Sequence, residues 1–350
     1  MEAFVTRKPI TTGDYSCIEV RELPVPVPEE KDILVAIKAV ATNPIDTKVL
    51  GGARKAPASA ENPVLVGWDG AGVVEEVGSQ VTKFKKGDEV YFAGSIARSG
   101  CFADFCAVDE RVVGLKPKKF TFSEAASAPL TTITAWEAIV KLIGVPIPKD
   151  EQSKQQNAAK KILIVGGAGG VGSIATQISK YLLNLQVIAT ASREITQQWC
   201  KDNGADIVID HNKSIIEQLK QYDIQGVDYI LCCSAVTVNY FNQFIEISVP
   251  FGRIAFITAN PNSDKDNVNL AGLMGKSLTI SGEYMFTRPT TGVDIEYQHE
   301  ILTHAADLFD KGILKATKNY DYPFTLQGIQ EALALQYSGK AIGKIVLSKM

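Results

Sequence analysis

Histidine and cysteine are scarce in this sequence of 350 residues, which has three histidines and six cysteines. No histidine precedes position 211, so the first 210 residues offer no imidazole to a metal ion. The cysteines form no C-x-x-C pair and are too sparse for the disulfide framework of a small secreted protein. We therefore expect reduced thiols and a cytoplasmic protein. The cysteines are Cys17, Cys101, Cys106, Cys200, Cys232 and Cys233.

A strong charge of one sign is also missing, because 36 basic and 39 acidic residues leave a net charge of −3. This balance supplies neither the basic field that attracts nucleic acid nor a polybasic patch for a membrane surface. No run approaches the roughly 18 apolar residues of a membrane span, and the opening MEAFVTRKPI lacks a signal-peptide pattern. The composition, 45% hydrophobic and 21% charged, is typical of a soluble globular protein, and the length predicts two domains.

Residues 1–127 have a β-rich pattern. Short runs of β-branched and aromatic residues at 33–40, 72–77 and 88–92 are separated by Gly, Pro, Asn and Asp. From about Phe122 the sequence becomes rich in alanine, which predicts a helix with Thr121 or Ser123 as its N-cap. The polar stretch 148–160 predicts a solvated loop.

Strand-like and helix-like segments alternate after Lys160. Strands connected by helical crossovers pair in parallel, so this alternation predicts a doubly wound parallel sheet of six strands, the Rossmann arrangement. The predicted strands are 161–165, 185–190, 205–210, 227–233, 253–258 and 277–281. Two helices, at about 296–311 and 325–337, and a closing strand at 344–347 follow this sheet.

The first strand of this sheet runs directly into a G-x-G-x-x-G turn formed by Gly167, Gly169 and Gly172. A strand before the glycines and a helix after them make this turn the fingerprint of a dinucleotide site, with a flexible loop that binds nothing as the alternative. Gly167 permits the tight turn, Gly169 lets backbone N–H groups approach a pyrophosphate, and Gly172 lets helix and strand pack closely. The predicted phosphate contacts are Gly167, Ala168, Gly169, Gly170 and Val171.

The end of the second strand indicates which dinucleotide binds. A site for NAD has an acidic residue there, about 20 residues after the glycines, whereas this sequence has Ser192 and Arg193. Both side chains can donate hydrogen bonds to a 2′-phosphate and Arg193 adds charge, so we predict NADPH as the cofactor. The alternative is that Arg193 only caps the next helix and that Glu194 is the acid. Lys180 and His211 are further candidate phosphate neighbours, or ordinary surface residues.

Several segments spread along nearly the whole chain carry a resemblance to a known family, namely Asn43–Asp46, Gly67–Val74, Gly87–Tyr91, Gly100–Ala103, Pro129–Trp136, Gly166–Gly172, Gly204–His211 and Gly343–Leu347. They resemble the medium-chain dehydrogenase/reductase superfamily, most closely its zinc-free quinone oxidoreductase-like branch, which includes proteins labelled zinc-type alcohol dehydrogenase-like. The resemblance implies an α/β protein in which a GroES-like β-rich catalytic domain is interrupted by a six-stranded NADPH-binding Rossmann domain, with the active site in the cleft between them. The implied division is 1–127 for the catalytic domain, 128–285 for the Rossmann domain and 286–350 for the return to the catalytic domain.

Zinc-dependent members of that family hold a catalytic zinc with a cysteine, a Gly-His-Glu motif and a second cysteine. In this sequence Asn43 stands at the first position, and Trp68 and Asp69 stand at the second. The third position falls near Thr131 or Thr132. Because zinc needs thiolate, imidazole or carboxylate ligands, this set cannot build a three-ligand catalytic site.

The other cysteines and histidines do not provide a zinc site either. The four-cysteine structural lobe of the family is missing, because 91–100 is a short loop without cysteine. Cys101 and Cys106 have the wrong spacing, and we interpret them as small packing residues. His299 and His304 lie five residues apart, about 140° around a helix, rather than on one face as in an H-E-x-x-H zinc site. We predict a protein without zinc.

The resemblance also implies the roles of individual residues. Asn43 and Thr134 would be catalytic residues beside the nicotinamide. Trp68, Tyr91 and Tyr284 could line a pocket for a planar substrate, with ordinary core packing as the alternative for each. The cofactor would further contact the backbone at Ile257, Thr258, Phe286 and Thr287, the side chain of Lys344, and the turn Cys233, Ser234 and Ala235.

Hydride transfer from NADPH to a quinone or an α,β-unsaturated carbonyl compound is the implied activity, because such acceptors spread the incoming charge over their own conjugated carbonyl. The proton donor stays open between a tyrosine, Asp46 acting through water, and solvent. The alternatives are an alcohol dehydrogenase, with or without zinc, and a non-catalytic NADPH-binding sensor. The sixth strand, at 277–281, would pair with its twin in a homodimer. The expected partners are a small-molecule quinone or enone and a second copy of the chain, with no nucleic acid and no membrane.

Overall fold

The computed structural model describes residues 1–52, 63–234, 238–258 and 269–349. The chain divides into two compact units: the first comprises 1–133, 285–312 and 316–350, and the second comprises 134–284 and 313–315. The unit boundaries therefore fall at 133/134 and 284/285, compared with 127/128 and 285/286 in the division implied by the sequence. None of the helices in the described ranges combines the length and the apolar character needed to cross a membrane.

The N-terminal part of the first unit consists mainly of strands. They are β1 (Glu2–Thr6), β2 (Glu19–Glu22), β3 (Asp32–Ala41), β4 (Val64–Leu65), β5 (Asp69–Val77), β6 (Glu89–Phe92), β7 (Phe105–Asp109) and β8 (Val113–Leu115). The helices are α1 (Pro44–Leu50), α2 (Phe122–Ala126) and α3 (Pro129–Trp136), with a 3₁₀ turn at Glu110–Val112. Thr121, rather than Ser123, is the N-cap of α2, because Thr121 and Glu124 each accept the other's backbone N–H.

The second unit alternates strands and helices. Its elements are α4 (Glu151–Ala158), β9 (Lys161–Val165), α5 (Gly170–Gln177), β10 (Gln186–Thr190), α6 (Glu194–Asp202), β11 (Ile207–Ile209), α7 (Ile215–Gln221), β12 (Val227–Cys232), α8 (Val238–Ile247), β13 (Ser248–Phe256), α9 (Leu270–Gly275) and β14 (Thr279–Gly282). Two π-helical stretches, Glu137–Leu142 and Ile178–Leu182, continue α3 and α5.

The strands of the second unit form one six-stranded sheet in the order β11-β10-β9-β12-β13-β14, in which every pair is parallel. This confirms the predicted doubly wound sheet. Buried apolar runs form β9 and β10, as expected of strands inside a parallel sheet, and Leu163 and Ile188 pack with Leu219 of α7 and Phe244 of α8. The strand order reverses between β9 and β12, which is the point where such sheets bind dinucleotides.

The polar stretch predicted as a solvated loop forms the helix α4 instead. The Asp150 side chain caps this helix by accepting the Ser153 backbone N–H at 2.8 Å. The buried Asn157 side chain donates to the Pro146 carbonyl at 2.9 Å and to the Leu183 carbonyl at 2.8 Å. The prediction was wrong because a cap and one buried amide hold this helix, so no apolar stripe marks it in the sequence.

The last part of the chain completes the main sheet of the first unit. Its elements are α10 (Thr287–Thr291), α11 (Glu296–Asp310), β15 (Lys318–Pro323), α12 (Leu326–Tyr337) and β16 (Lys344–Ser348). This sheet has seven strands, in the order β15-β16-β3-β5-β6-β8 with β7 paired to β3, while β2-β1-β4 form a small separate sheet. β16 runs antiparallel to β3, and Thr42 donates its N–H to the Ile345 carbonyl at 3.0 Å. This pairing brings the C-terminal strand beside the start of α1.

Candidate functional site

A tight turn connects β9 to α5. Gly166 has a φ of 81°, a left-handed conformation that glycine adopts without strain. A Cβ atom at Gly167 would lie 2.8 Å from the Ala189 Cβ and 2.9 Å from the Cys200 sulfur, so this position needs glycine for packing. A Cβ at Gly172 would lie 2.2 Å from the Gly166 carbonyl oxygen, which confirms the predicted close approach of helix and strand. The prediction that Gly167 supplies the turn conformation was wrong, because Gly166 supplies it.

The N-terminus of α5 presents backbone donors at this turn. The helix begins at Gly170 after the N-cap Gly169, so the N–H groups of Gly170, Val171 and Gly172 have no acceptor one turn earlier in the helix. A Cβ built at Gly169 would have one described atom within 4 Å, the Gly166 carbonyl oxygen at 3.5 Å, so space remains beside these donors. Together with the partial positive charge of the helix end, this arrangement fits the phosphates of a dinucleotide.

Two hydrogen bonds attach the glycine turn to the end of β10. The Gly166 N–H donates to the Thr190 hydroxyl at 3.0 Å, and the Gly167 N–H donates to the Thr190 carbonyl at 3.0 Å. The same hydroxyl lies 3.4 Å from Nδ1 of His211, which follows β11. Thr190 is fully buried at the place where an acidic residue would mark a site for NAD. The end of β10 therefore carries no negative charge.

Ser192 and Arg193 follow β10, and Arg193 is the N-cap of α6. The cap uses backbone atoms of Arg193: its N–H donates to the Thr196 hydroxyl at 3.1 Å, and its carbonyl accepts from that hydroxyl at 2.7 Å. Glu194, the first residue of α6, is exposed, as is Arg193. Arg193 therefore lies at the surface, directly after the end of β10, where we predict a contact with a 2′-phosphate.

The ends of β12 and β13 lie beside the same turn. The Cys233 N–H donates to the Val165 carbonyl at 3.0 Å, and the Ile257 N–H donates to the Cys232 carbonyl at 3.2 Å. The structure thus brings most of the predicted cofactor residues together along one edge of the sheet, the edge at which its strands end, which we call the carboxyl edge. These residues are Gly167, Ala168, Gly169, Gly170, Val171, Ser192, Arg193, His211, Cys233, Ser234, Ile257 and Thr258, whereas Ala235 lies outside the described residues.

A buried cluster of charged side chains lies in the first unit, and we call Asn43, Asp46, Asp69 and Lys344 the lysine–aspartate cluster. The Lys344 ammonium group donates to the Thr42 carbonyl at 2.8 Å, to Asn43 Oδ1 at 2.6 Å and to Asp69 Oδ2 at 2.8 Å. Only 3% of the Lys344 side chain and none of the Asp69 side chain is exposed. All three N–H bonds of Lys344, which we predicted to contact the cofactor, are thereby used inside the first unit.

The carboxylate oxygens of the lysine–aspartate cluster all accept hydrogen bonds. Asp69 accepts the Leu130 N–H on Oδ1 at 2.7 Å and the Asn43 amide on Oδ2 at 2.8 Å, in addition to the ammonium group. Asp46 accepts the backbone N–H groups of Asn43 at 2.6 Å and of Gly67 at 2.9 Å. Burial raises the pKa of Asp46 to about 7, although these N–H groups and the ammonium group act against the shift.

The lysine–aspartate cluster includes positions at which zinc-dependent members of the family carry metal ligands, and its donor set does not fit zinc. Zinc needs several thiolate, imidazole or carboxylate ligands with free lone pairs. Here Asn43 and Asp69 already bind the cationic Lys344, which leaves no room for a second cation. Within the described ranges, no group of three or more His, Cys, Asp or Glu side chains is placed to hold a metal ion.

The three aromatic residues predicted to line a substrate pocket have different surroundings. Trp68 is buried, donates its Nε1–H to the Ser95 carbonyl at 2.9 Å and lines a cavity of about 60 Å³ in the first unit. Tyr91 is fully buried, and its hydroxyl donates to the Leu302 carbonyl at 2.6 Å. It is therefore a core residue, which agrees with ordinary core packing, the alternative to a pocket residue. Tyr284 is 50% exposed and ends the main stretch of the second unit.

The other predicted nicotinamide contacts lie on helices of both units. Thr134 is buried in α3. Phe286 is buried at the N-cap of α10 and packs edge-on against Trp68, with ring centroids 6.1 Å apart, and Thr287 is exposed at the first position of that helix. Asn43, Phe286 and Thr287 belong to the first unit and Thr134 to the second. The structure therefore distributes these residues over the two units.

Two buried glutamates of the second unit are absent from the sequence-based predictions. Glu283 directly follows β14, and Glu137 begins the π-helical stretch after α3; both are buried. Burial, and then the charge of Glu137, raise the pKa of Glu283 well above its usual value. The one available signal is the position of Glu283 immediately after a strand of a parallel sheet, where side chains face bound ligands.

Two family models match the chain. Residues 29–118 match the model described as the alcohol dehydrogenase GroES-like domain, and residues 170–297 match the model described as zinc-binding dehydrogenase. The first match lies in the β-rich first unit, and most of the second lies in the unit that contains the parallel sheet.

Relatives of comparable length match nearly the whole chain. A zinc-type alcohol dehydrogenase-like protein of Staphylococcus aureus (strain MRSA252) is 37% identical over 343 residues, which cover 97% of this chain and 98% of the relative. A 2-methylene-furan-3-one reductase of Solanum lycopersicum is 38% identical over 346 residues, which cover 95% of this chain and 77% of the relative. The crystal structure of a candidate zinc-dependent alcohol dehydrogenase from Rhizobium etli CFN 42 has 39% identity and a TM-score of 0.89, with coverage of 100% of this chain and 98% of that chain.

Proposed function

The chain belongs to the medium-chain dehydrogenase/reductase superfamily and is an oxidoreductase of that family, and from this premise we propose that it transfers a hydride from NADPH to a quinone or an α,β-unsaturated carbonyl compound without zinc. The observation that carries this proposal is the lysine–aspartate cluster, in which Lys344, Asn43 and Asp69 bind one another. A cytoplasmic location is part of the proposal, because the cysteines are free thiols.

An electrophilic acceptor suits such a site better than an alcohol does. Oxidation of an alcohol develops alkoxide character, and in zinc enzymes the metal stabilises that charge as a Lewis acid. The Lys344 ammonium group cannot replace the metal, because its three N–H bonds are already used. A quinone or an enone disperses the charge of the incoming hydride over its conjugated carbonyl, so a few hydrogen-bond donors suffice.

The carboxyl edge supplies the groups that a dinucleotide phosphate requires. NADPH, when bound, supplies the hydride. The N–H groups at the start of α5 would hold the pyrophosphate, and Ser192 and Arg193 would bind the 2′-phosphate, for which an arginine offers both charge and a bidentate donor. Within the second unit, the proposed contacts of the reactive ring are Thr134, Ile257 and Thr258.

The name of one relative supports an enone as the substrate. In 2-methylene-furan-3-one, a carbon–carbon double bond is conjugated to a ketone, and the reductase named after this compound is the Solanum lycopersicum relative. Hydride addition to such a double bond produces an enolate, which needs hydrogen-bond donors and a proton but no metal. The same requirements apply to a quinone.

We also propose a homodimer that pairs the β14 edge of the parallel sheet with its twin. β14 is the last strand in the sheet order, so its outer edge has no partner strand in the described chain. Three apolar side chains on β13 and α9 are exposed, namely Phe251 (76%), Leu270 (70%) and Met274 (79%). Pairing across a two-fold axis would cover this edge. Light scattering is expected to give twice the chain mass of 37.9 kDa, and a monomer would refute the dimer.

Oxidation of NADPH tests the proposed activity. We expect the protein to reduce 9,10-phenanthrenequinone and a simple enone with NADPH, at rates that a metal chelator leaves unchanged. Loss of activity on chelation, together with reduction of NADP⁺ by an alcohol, would favour a zinc-dependent alcohol dehydrogenase. Tight NADPH binding without oxidation by any acceptor would favour a non-catalytic sensor.

A further inference from the structure

Glu283 is a buried carboxyl group with an unused oxygen atom. It continues the pairing of β14 with β13, because its N–H donates to the Phe256 carbonyl at 2.9 Å. The residue is 6% exposed, and its Oε1 is buried with no hydrogen-bond partner in the described part of the chain. Buried polar atoms nearly always have a partner, so an unpaired one in a native structure requires an explanation.

Two titratable groups lie near Glu283. They are Glu137, on the π-helical stretch after α3, and Cys233, after β12. Burial is the largest cause that raises the pKa of Glu283, and the negative charge of Glu137 raises it further. Burial also raises the pKa of the Cys233 thiol well above its usual value, so this neighbour is neutral. Glu283 therefore keeps its proton to a higher pH than a surface glutamate, and it then has one O–H donor and one carbonyl acceptor.

The position of Glu283 in the sheet indicates which part of a dinucleotide it meets. A dinucleotide bound across a doubly wound sheet places one nucleotide on each side of the point where the strand order reverses. The glycine turn and Arg193 follow β9 and β10, which assigns the adenosine half to that side. The other half of the sheet is formed by β12, β13 and β14, and Glu283 lies at its carboxyl edge. The nicotinamide nucleotide belongs to this second half.

We propose that Glu283, as a carboxylic acid, recognises the primary amide of the nicotinamide ring. A carboxylic acid and a primary amide are complementary, because the acid O–H donates to the amide carbonyl while the acid carbonyl accepts an amide N–H. The inference rests on the proposed function, since it requires a nicotinamide dinucleotide at the carboxyl edge. It adds a side-chain contact to the backbone contacts proposed at Ile257 and Thr258. Glu283 is thus a residue for binding and for orienting the ring.

Binding measured by isothermal titration calorimetry tests this inference independently of turnover. The two probes are NADPH and its reduced 3-acetylpyridine analogue, in which a methyl ketone replaces the amide. We expect Glu283→Leu to weaken NADPH binding about ten- to hundredfold, the effect of losing two hydrogen bonds, and to bind both probes with similar affinity. Glu283→Gln retains a donor and an acceptor, so we expect it to keep most of the affinity and the preference for NADPH.

The pH dependence of binding provides a second readout. In the wild type, affinity for NADPH is expected to fall as pH rises through the raised pKa of Glu283, because the carboxylate has no O–H to donate. Glu283→Gln should lack this fall. The 2′-phosphate titrates equally in both proteins, so the difference between their profiles isolates Glu283. Glu217→Gln, at an exposed glutamate of α7, is the matched control and should follow the wild type.

The outcomes separate this inference from the proposed function. If Glu283→Leu binds NADPH as tightly as the wild type and keeps the preference for the amide, the inference is overturned while the proposed function stands. If the wild type binds neither NADPH nor NADH, both fail. Thermal unfolding of each variant checks that the fold is intact, and the conservative Glu283→Gln variant provides the comparison even if the leucine variant folds poorly.

Discussion

Two buried sites of this protein, one in each unit, differ in how their polar groups are partnered. In the first unit the lysine–aspartate cluster is closed, because every N–H of Lys344 and both oxygens of Asp69 have partners inside the unit. In the second unit the carboxyl edge is open: Glu283 has an oxygen without a partner among the described residues, and the donors at the start of α5 have no acceptor in their helix. A closed network holds strands together, whereas unpaired groups at the carboxyl edge of a parallel sheet are in the place where ligands of such sheets bind. The buried carboxyl group of Asp69 therefore has a structural role, whereas the unpaired oxygen of Glu283 supports the binding role that we propose for it.

The largest change in stability is expected when Lys344 is removed from the lysine–aspartate cluster. Lys344→Met removes the cation and leaves Asp69 buried without its counter-charge, which should lower the free energy of unfolding by about 3–5 kcal/mol. Urea unfolding followed by circular dichroism measures this loss. Lys118→Met, at an exposed lysine, is the matched control and should remain within about 0.5 kcal/mol of the wild type.

A double variant distinguishes the loss of the charge pair from the loss of packing. Lys344→Met combined with Asp69→Asn also removes the negative charge that Lys344 compensates at Asp69, so part of the stability should return. If Lys344→Met alone were as stable as the wild type, the cluster would not be the closed network that the hydrogen bonds indicate.

The second prediction concerns the open edge. Arg193→Ala should raise the KM for NADPH about ten- to hundredfold, the range for charge-assisted hydrogen bonds, while the KM for NADH changes little. Steady-state kinetics with both cofactors and one quinone measure the ratio. Lys201→Ala, at an exposed lysine of α6, controls for the general charge of that helix. Equal changes for the two cofactors would mean that Arg193 does not contact the 2′-phosphate, and would favour Glu194 as the acid of a site for NAD.

The fold could be predicted from the sequence where the signal is local. β9 and β10 are buried apolar runs, and the glycines after β9 define the turn. Short segments of the sequence were therefore enough to predict the parallel sheet. β15 could not be predicted in this way, because its sequence KNYDYP has no apolar run and its pairing depends on β16. α4 likewise depends on a cap and on Asn157, whose partners lie outside the helix. Elements held by contacts with other segments carry no periodic signal of their own.

The residues of the candidate site also differ in whether a local signal in the sequence marks them. The glycine turn could be predicted because neighbouring residues build it. The pairing of Lys344 with Asp69 joins residues 275 positions apart, so the sequence shows two ordinary charges and not a buried pair. Glu283 is even harder to identify from the sequence. Its distinguishing feature is a buried oxygen atom without a hydrogen-bond partner among the described residues, and that feature depends on the packing around it.

The smallest change in the free energy of unfolding is expected when Glu283 is replaced in the protein without ligand. This change is a gain, whereas the replacement of Lys344 causes a loss. Glu283→Leu replaces an unpaired buried carboxyl group with an apolar side chain, which should raise the free energy of unfolding by about 1 kcal/mol. The gain should increase with pH. Because the folded-state pKa of Glu283 is raised, its contribution to stability is complete below the unfolded value near 4.5 and is lost as pH rises toward the folded value, whereas leucine has no such loss. Thermal unfolding at about pH 4 and about pH 7, with Glu217→Leu as the exposed control, measures both effects. A leucine variant less stable than the wild type would mean that this carboxyl group is bonded within the unit, and the carboxyl edge would then be as closed as the lysine–aspartate cluster.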